Sequence, residues 1–440
     1  MALRHAKALP ASTRPDAVAF GQLVTGCTDR LALLERYWQN AHLVSADQSV
    51  HRFSEGRIPE DWVPECEQLV KLLRAIGSQV AGIAAALKEP DDAKSPSERE
   101  AQSHAGVELG VYLARLGTLD KLLSAWATHD RVPWAKWIEW AVEGAGTAPD
   151  AWLCASPMTA AQVLSRHLWS QASAAVCTSA TLTACGSFDF FDRLSGMNRF
   201  PKRRSLVVAS PFDYATQGEL RIAPMTHSPK SPGVCDELCD KLPALLREHP
   251  HGQLVLFTSR RQMQACYAAL PQDLVEQVLF QGVRSRTELL KEHGRRVKAG
   301  ARSIIFGLQS FGEGIDLPGS LCEHVVIDKL PFTPPSSPVE EALAEWLDSQ
   351  GRDPFNDLSV PRVAMKLAQW AGRGVRTETD WAVITVCDIR LTTKRYGNAI
   401  LVGLPPFPVV HTVSNRLKIF ERAWLTTYPF FRKYRFQTMK

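Results

Sequence analysis

The chain is short of the features that settle a class at once. Its ten cysteines are spread over 440 residues without one C-x-x-C pair. The nearest two, Cys235 and Cys239 in CDELC, have helical spacing and no neighbouring histidine, and two thiols alone make a poor zinc site. No metal site is expected. A chain of this size builds its core without disulfide staples, so reduced thiols are expected. The first residues, MALRHAKALPASTRP, hold no apolar h-region, which argues against a signal peptide. The longest apolar run, VAGIAAAL at 80–87, is too short to span a bilayer. A cytoplasmic protein is the expectation. No G-x-x-x-x-G-K-[ST] and no D-E-A-H occurs, so a phosphate loop of that type is missing. Charge of either sign is not in excess: 51 Lys and Arg against 46 Asp and Glu give a net +5 and a pI of about 8.6. That permits a nucleic-acid partner without demanding one.

What is present divides the chain. Residues 1–150 carry apolar residues at three- and four-residue spacing, as in CEQLVKLLRAIGSQVAGIAAAL, and read as an all-helical domain. Residues 151–205 hold two strand-like runs, AWLCASP and AAVCTSATL, around the helical TAAQVLSRHLWSQ. From about 206 to 408, continuous apolar runs (QLVLFTS, SIIFGL, EHVVIDKLP, WAVITVCD) alternate with helical patterns. Runs without polar alternation suit a parallel sheet covered on both faces, hence a doubly wound α/β domain. Residues 409–440 form a tail in which Arg432, Lys433 and Arg435 interleave with Phe430, Phe431, Tyr434 and Phe436. That mixture suits stacking on single-stranded bases, or a terminus packing its rings on the body.

Four segments carry chemistry. They are TSATL (Thr178, Ser179, Thr181); FTSRRQM (Thr258, Ser259, Arg260); GLQSFGEGIDLPG (Ser310, Glu313, Gly314, Asp316); and QWAGRGVR (Gln369, Gly372, Arg373, Arg376). Each has a plain structural reading. Hydroxyl residues are common in strand-end turns. The G-x-G in GEGID is no dinucleotide fingerprint, because its acid follows at once. Two arginines at a helix end suit the helix dipole.

Their order resembles superfamily 2 helicases of the XPD type, and within them the DinG family. SAT, a strand ending in Ser/Thr-Arg, SFGEGIDLPG and QWAGRGVR match that family's motifs III to VI, and SPF (Ser210–Phe212) and KLPFTPPSSPV fit beside them. The resemblance implies a RecA-like parallel-sheet motor domain preceded by an arch-like helical region. It implies that Arg373 and Arg376 are arginine fingers on the γ-phosphate of ATP, with Gln369 beside it. A planar, permanently charged guanidinium stabilises the charge spreading over the γ-phosphoryl oxygens. Gly314, Asp316, Gly372 and Glu313 would line the nucleotide; Thr178, Ser179 and Thr181 would couple hydrolysis to domain closure; Thr258, Ser259, Arg260 and Ser310 would contact single-stranded or forked DNA. The basic helix with Lys291, Arg295, Arg296 and Lys298 could add phosphate contacts or be a solvated face.

The family's phosphate loop, D-E-A-H box and four-cysteine iron–sulfur ligands all precede TSATL, and none is found here. The resemblance therefore implies the C-terminal part of a 5′→3′ helicase. ATP, Mg²⁺ and the cluster would be held mainly by a missing N-terminal half, and the isolated chain would hydrolyse little ATP. A non-catalytic nucleic-acid-binding or docking module with a motor fold is the alternative.

Overall fold

A computed structural model describes residues 16–40, 49–87, 95–128, 134–140, 151–229, 234–312, 314–333, 335, 337–413 and 416–419. The chain forms two compact units. One comprises residues 1–159 and 335–352, the other 160–334 and 353–440.

In the first unit three helices, α1 (Ala17–Asn40), α2 (Val63–Ala86) and α3 (Pro96–Ala127), share a core. On α2, Leu69, Leu73, Ile76, Val80 and Ile83 fall three and four apart and are buried. Residues 54–86 are long and apolar enough to cross a membrane by length and composition, although no single apolar run in the sequence is. Here their stripe is spent on this core.

The expected all-helical character needs correction. Strands β1 (Val50–Phe53), β2 (Trp134–Trp140) and β3 (Ala151–Pro157) form an antiparallel sheet in the order β1-β2-β3. The alternation in WAKWIEW was hidden by a lysine: Lys136, Ile138 and Trp140 all face inward. Burying that ammonium is tolerable because Lys136 Nζ donates to the carbonyls of Trp126 (3.0 Å) and Thr128 (2.8 Å) at the end of α3. Those are the orphan acceptors at the negative end of a helix dipole.

A helix far along the chain, Pro338–Ser349, belongs to this unit too. On β1, Arg52 donates to Glu341 (2.7 Å) and twice to Glu345. Glu345 also accepts from the Glu55 amide, and the Arg52 guanidinium holds its carboxyl below the usual range.

The second unit is built on an eight-stranded sheet, order β11-β10-β4-β9-β8-β5-β7-β6. The strands are β4 (Gly218–Ile222), β5 (Gly252–Phe257), β6 (Val278–Phe280), β7 (Ser303–Leu308), β8 (His324–Ile327), β9 (Ala382–Val386), β10 (Val409–Val413) and β11 (Arg416–Ile419). Only the β10–β11 pairing is antiparallel among them; the other neighbours run parallel. This is the expected α/β architecture on a mostly parallel sheet.

Side chains alternate across the sheet with period two. Leu254, Leu256, Ile305, Val325, Ile327 and Ile384 enter one core. Val255, Phe257, Ile304, Phe306 and Val326 enter the other, with Leu242 and Leu246 of α4 (Val234–Arg247) and Met263 of α5 (Arg260–Ala268). The next helix, α6 (Arg286–Lys298), starts on a full capping box between Ser285 and Glu288. Helix α7 (Val360–Ala371) lays Val363, Ala364, Leu367 and Trp370 on the first core.

A second correction concerns AAVCTSATL. It is no strand: residues 171–180 have no sheet partner and are exposed, Val176 to 91%. Residues 201–210 behave alike, with Leu206, Val207 and Val208 at least 71% exposed. A parallel strand needs neighbours to satisfy its amides and helices to cover its faces, and neither stretch has them.

Candidate functional site

The site is organised by the segment after β7. Because β7 and β8 run parallel, residues 309–323 must travel from the carboxyl end of the sheet back to its amino end. They do so beside α7, where Lys366 donates to Gln309. At Gly312 the contact is so close that a Cβ would lie 1.9 Å from Trp370 Nε1. Two residues on, Gly314 takes φ +65, where a side chain is strained.

The two arginines are not equivalent. Arg373 is anchored on this loop's backbone: Nε donates to the Gly312 carbonyl (2.9 Å) and one terminal nitrogen to that of Ile315 (2.7 Å). Arg376 reaches the same Ile315 carbonyl only at 3.3 Å and meets Asp316, also at 3.3 Å. Asp316 is 75% exposed, and so wet a pair is worth about 0–1 kcal/mol. Arg376 is therefore the less firmly held of the two.

Asp380, which sequence reasoning did not single out, fastens the turn. It accepts from the amides of Arg376 (2.8 Å), Thr377 (2.9 Å) and Gly319 (3.0 Å). Burial opposes its ionisation, but the Thr377 hydroxyl and these amides outweigh that and hold its carboxyl below the usual range. Beneath the pair lies Cys322, whose thiol burial pushes up to about 12 although both guanidiniums favour the thiolate. Both arginines precede β9, so they sit at the amino end of the sheet, away from the carboxyl ends where α/β sheets usually carry functional loops.

TSATL meets this group directly. Gln369 Nε2 on α7 donates to Thr181 Oγ1 at 3.2 Å. Thr181 is half-buried and its amide donates to Ser179 Oγ (3.2 Å), whereas Thr178 and Ser179 are exposed. Gly372 closes α7, its amide donating to Ala368. Glu313 lies outside the described residues, as does the tail 420–440.

The third cluster lies at the carboxyl ends of the strands. Thr258 and Ser259 follow β5; Ser259 caps α5 by accepting from the Gln262 amide (3.3 Å), and Arg260 is exposed at the helix start. Ser310 follows β7, exposed, accepting from Gln281 (3.1 Å). Asp328, also unforeseen, shapes this turn by accepting from the Thr258 amide and hydroxyl and the Lys329 amide. Burial pushes its carboxyl up to about 7. On the basic helix α6, Arg295 and Arg296 both pair with Glu292, while Lys291 and Lys298 are exposed. The structure thus joins TSATL, GEGID and QWAGRGVR in one network and leaves Thr258–Arg260 and Ser310 at the other end of the sheet.

Among the described residues no group of three or more His, Cys, Asp or Glu could hold a metal ion. Cys239 and Cys266 do touch, Sγ to Sγ 3.5 Å, but nothing completes a ligand set. These residues do not fit an iron–sulfur cluster.

Residues 242–407 match the helicase C-terminal domain family. That stretch holds strands β5 to β9 and both arginines of the network. The chain is 37% identical over 369 residues to the ATP-dependent DNA helicase DinG of Photobacterium profundum, covering 81% of this chain and 52% of that protein. With DinG of Escherichia coli (strain K12) it shares 31% over 378 residues, 84% of this chain and 52% of the relative. Over most of its length the chain is similar to DinG helicases. It spans about half the length of the curated relatives it matches. Among solved structures an XPD helicase aligns over 82% of this chain and 65% of its own, with 15% identity and a TM-score of 0.44, a likeness too loose to add to the sheet order.

Proposed function

We propose that this chain is the C-terminal portion of an ATP-dependent 5′→3′ DNA helicase. It supplies Arg376, and Arg373 behind it, to an ATP whose phosphates and Mg²⁺ are held mainly by an N-terminal motor half. The observation that carries the reading is the single network in which Gln369 holds Thr181 while Arg373 holds Gly312 and Ile315. Such a network ties the arginine-bearing turn to TSATL, so movement at one is felt at the other. Gly314, Asp316 and Gly372 line the nucleotide side. Thr178, Ser179 and Thr181 report its state. Thr258, Ser259, Arg260 and Ser310 take single-stranded DNA at the opposite end, and residues 309–323 link the two.

An arginine finger contributes about 10³–10⁵ in rate to P-loop enzymes, but it acts in the transition state and needs a nucleotide held in place. The isolated chain is accordingly silent as an ATPase. The exposed stretch 171–180 supports a partner half, because most of AAVCTSATL lies in it without a sheet, and Leu206, Val207 and Val208 are apolar and exposed as well. The test adds a separately expressed N-terminal half carrying the phosphate loop and D-E-A-H box. DNA-stimulated ATPase appears with the mixture and is lost with Arg376→Ala. A mixture that binds DNA but stays silent favours the non-catalytic docking module. Turnover by the isolated chain at the rate of the mixture sinks the account of the missing cradle.

A further inference from the structure

Beyond the site residues already given a role, the carboxyl end of the second unit's sheet carries an aromatic cluster, of which Phe332 alone falls in a motif-like segment, KLPFTPPSSPV. Phe332 follows β8, Phe355 stands where the chain re-enters this unit, and Tyr396 lies on the helix Arg395–Val402. Phe332 and Phe355 stack, with centroids 5.3 Å apart and planes 18° off parallel. Tyr396 closes on both edge-on, at 5.6 and 5.2 Å. Arg390 lies over Phe332 at 5.0 Å and is itself pinned by buried Asp388. The rings are thus set in place before any ligand arrives.

Three features distinguish this from a plug. Phe355 leaves 40% of itself in solvent, a large apolar ring kept wet beside a core that could have covered it. Lys394 and Arg395, next to Tyr396, are exposed, and their side chains make no hydrogen bond or ion pair among the described residues. The cluster also follows β8 and β9, so it shares the sheet end that bears Thr258, Ser259 and Arg260. A stacking face with two uncommitted cations beside it is the chemistry that holds single-stranded nucleic acid: bases lie on π-faces of any sequence, and phosphates meet the charges.

We propose that Phe355, backed by Phe332 and Tyr396, is a base-stacking platform for single-stranded DNA, with Lys394 and Arg395 taking the adjoining phosphates. This rests on the reading that the chain binds single-stranded DNA. It adds a second contact beyond the Thr258–Arg260 turn and makes binding tolerant of sequence.

The probe is a fluorescein-labelled oligothymidine, titrated by anisotropy over a range of salt, with a 5-iodouracil copy for photocrosslinking to aromatic side chains. Phe355→Leu keeps the apolar volume and removes the π-face. It should weaken binding about tenfold with its melting temperature and salt slope nearly unchanged. The Lys394→Ala, Arg395→Ala double variant should lower the salt slope by about 1.4, at about 0.7 per phosphate on single strands. Phe355→Trp should bind at least as well as the parent, and the crosslink should map to Phe355. If the parent binds while Phe355→Leu binds equally and the crosslink falls elsewhere, the platform is overturned and the DNA-binding reading stands. If the parent binds no oligonucleotide at all, both fall.

Discussion

SIIFGL at 303–308 and AAVCTSATL at 174–182 are near equals as sequence, apolar and able to lie in a sheet. In the fold they are opposites. Ile304, Ile305 and Phe306 are fully buried between β5 and β6, whereas Val176 is 91% exposed with no partner. The difference lies outside the segments. A parallel strand is stable when two neighbours take its amides and carbonyls and helices cover both faces. SIIFGL has all of these within its own unit; AAVCTSATL has none among the described residues.

The largest effect should come from breaking the complete member of this comparison. Val326→Asp places a carboxylate among Val255, Phe257 and Phe306, where nothing can pair with it, and should cost about 4–5 kcal/mol or more. Val176→Asp, on the bare segment, should stay within about 0.5 kcal/mol. Urea titration of both variants checks this, and equal losses would dissolve the contrast.

Next in size is Gly312→Ala, which drives a methyl into Trp370 and should cost about 1–3 kcal/mol. It should also loosen the carbonyls that anchor Arg373. A urea midpoint at the parent's value would show that the loop and α7 are not in close contact.

A smaller, pH-dependent effect comes from His249, His293 and His324. Burial lowers the pKa of each, and His324 lies well below the usual value, with His249 next to it adding to the shift. The folded state therefore prefers them neutral. Their contribution is fully present above the unfolded value of about 6.5 and is lost as pH falls below it. Urea midpoints should drop between pH 7.5 and 5.5, and His324→Gln should flatten that slope. An unchanged slope in the variant would contradict the assignment. The smallest effect is Asp316→Asn, within about 0–1 kcal/mol, because its pair with Arg376 is solvated.

The central strands were legible because β5, β7, β8 and β9 are covered on both faces, and such strands read as unbroken apolar runs. β2 was not, since Lys136 breaks its alternation and finds its partners at the end of a helix eight to ten residues away. AAVCTSATL misled for the converse reason: composition reports what a segment can do, and its neighbours decide what it does. In the site, SFGEGIDLPG and QWAGRGVR were singled out by resemblance to a family, and the fold brings the two segments into contact. Asp380 and Asp328 could not, because each is a lone acid whose partners are mostly backbone amides brought near by folding. The helix Pro338–Ser349 showed its apolar face, Ala342, Leu343 and Leu347, but nothing in it says which core it joins.

The most direct measurement is hydrogen exchange across residues 171–180 and 201–210, with and without the N-terminal motor half. The account predicts that these amides exchange at nearly unprotected rates in the isolated chain and become protected, as in strands, once the half is bound. Protection already present in the isolated chain, or none gained on binding, would contradict it.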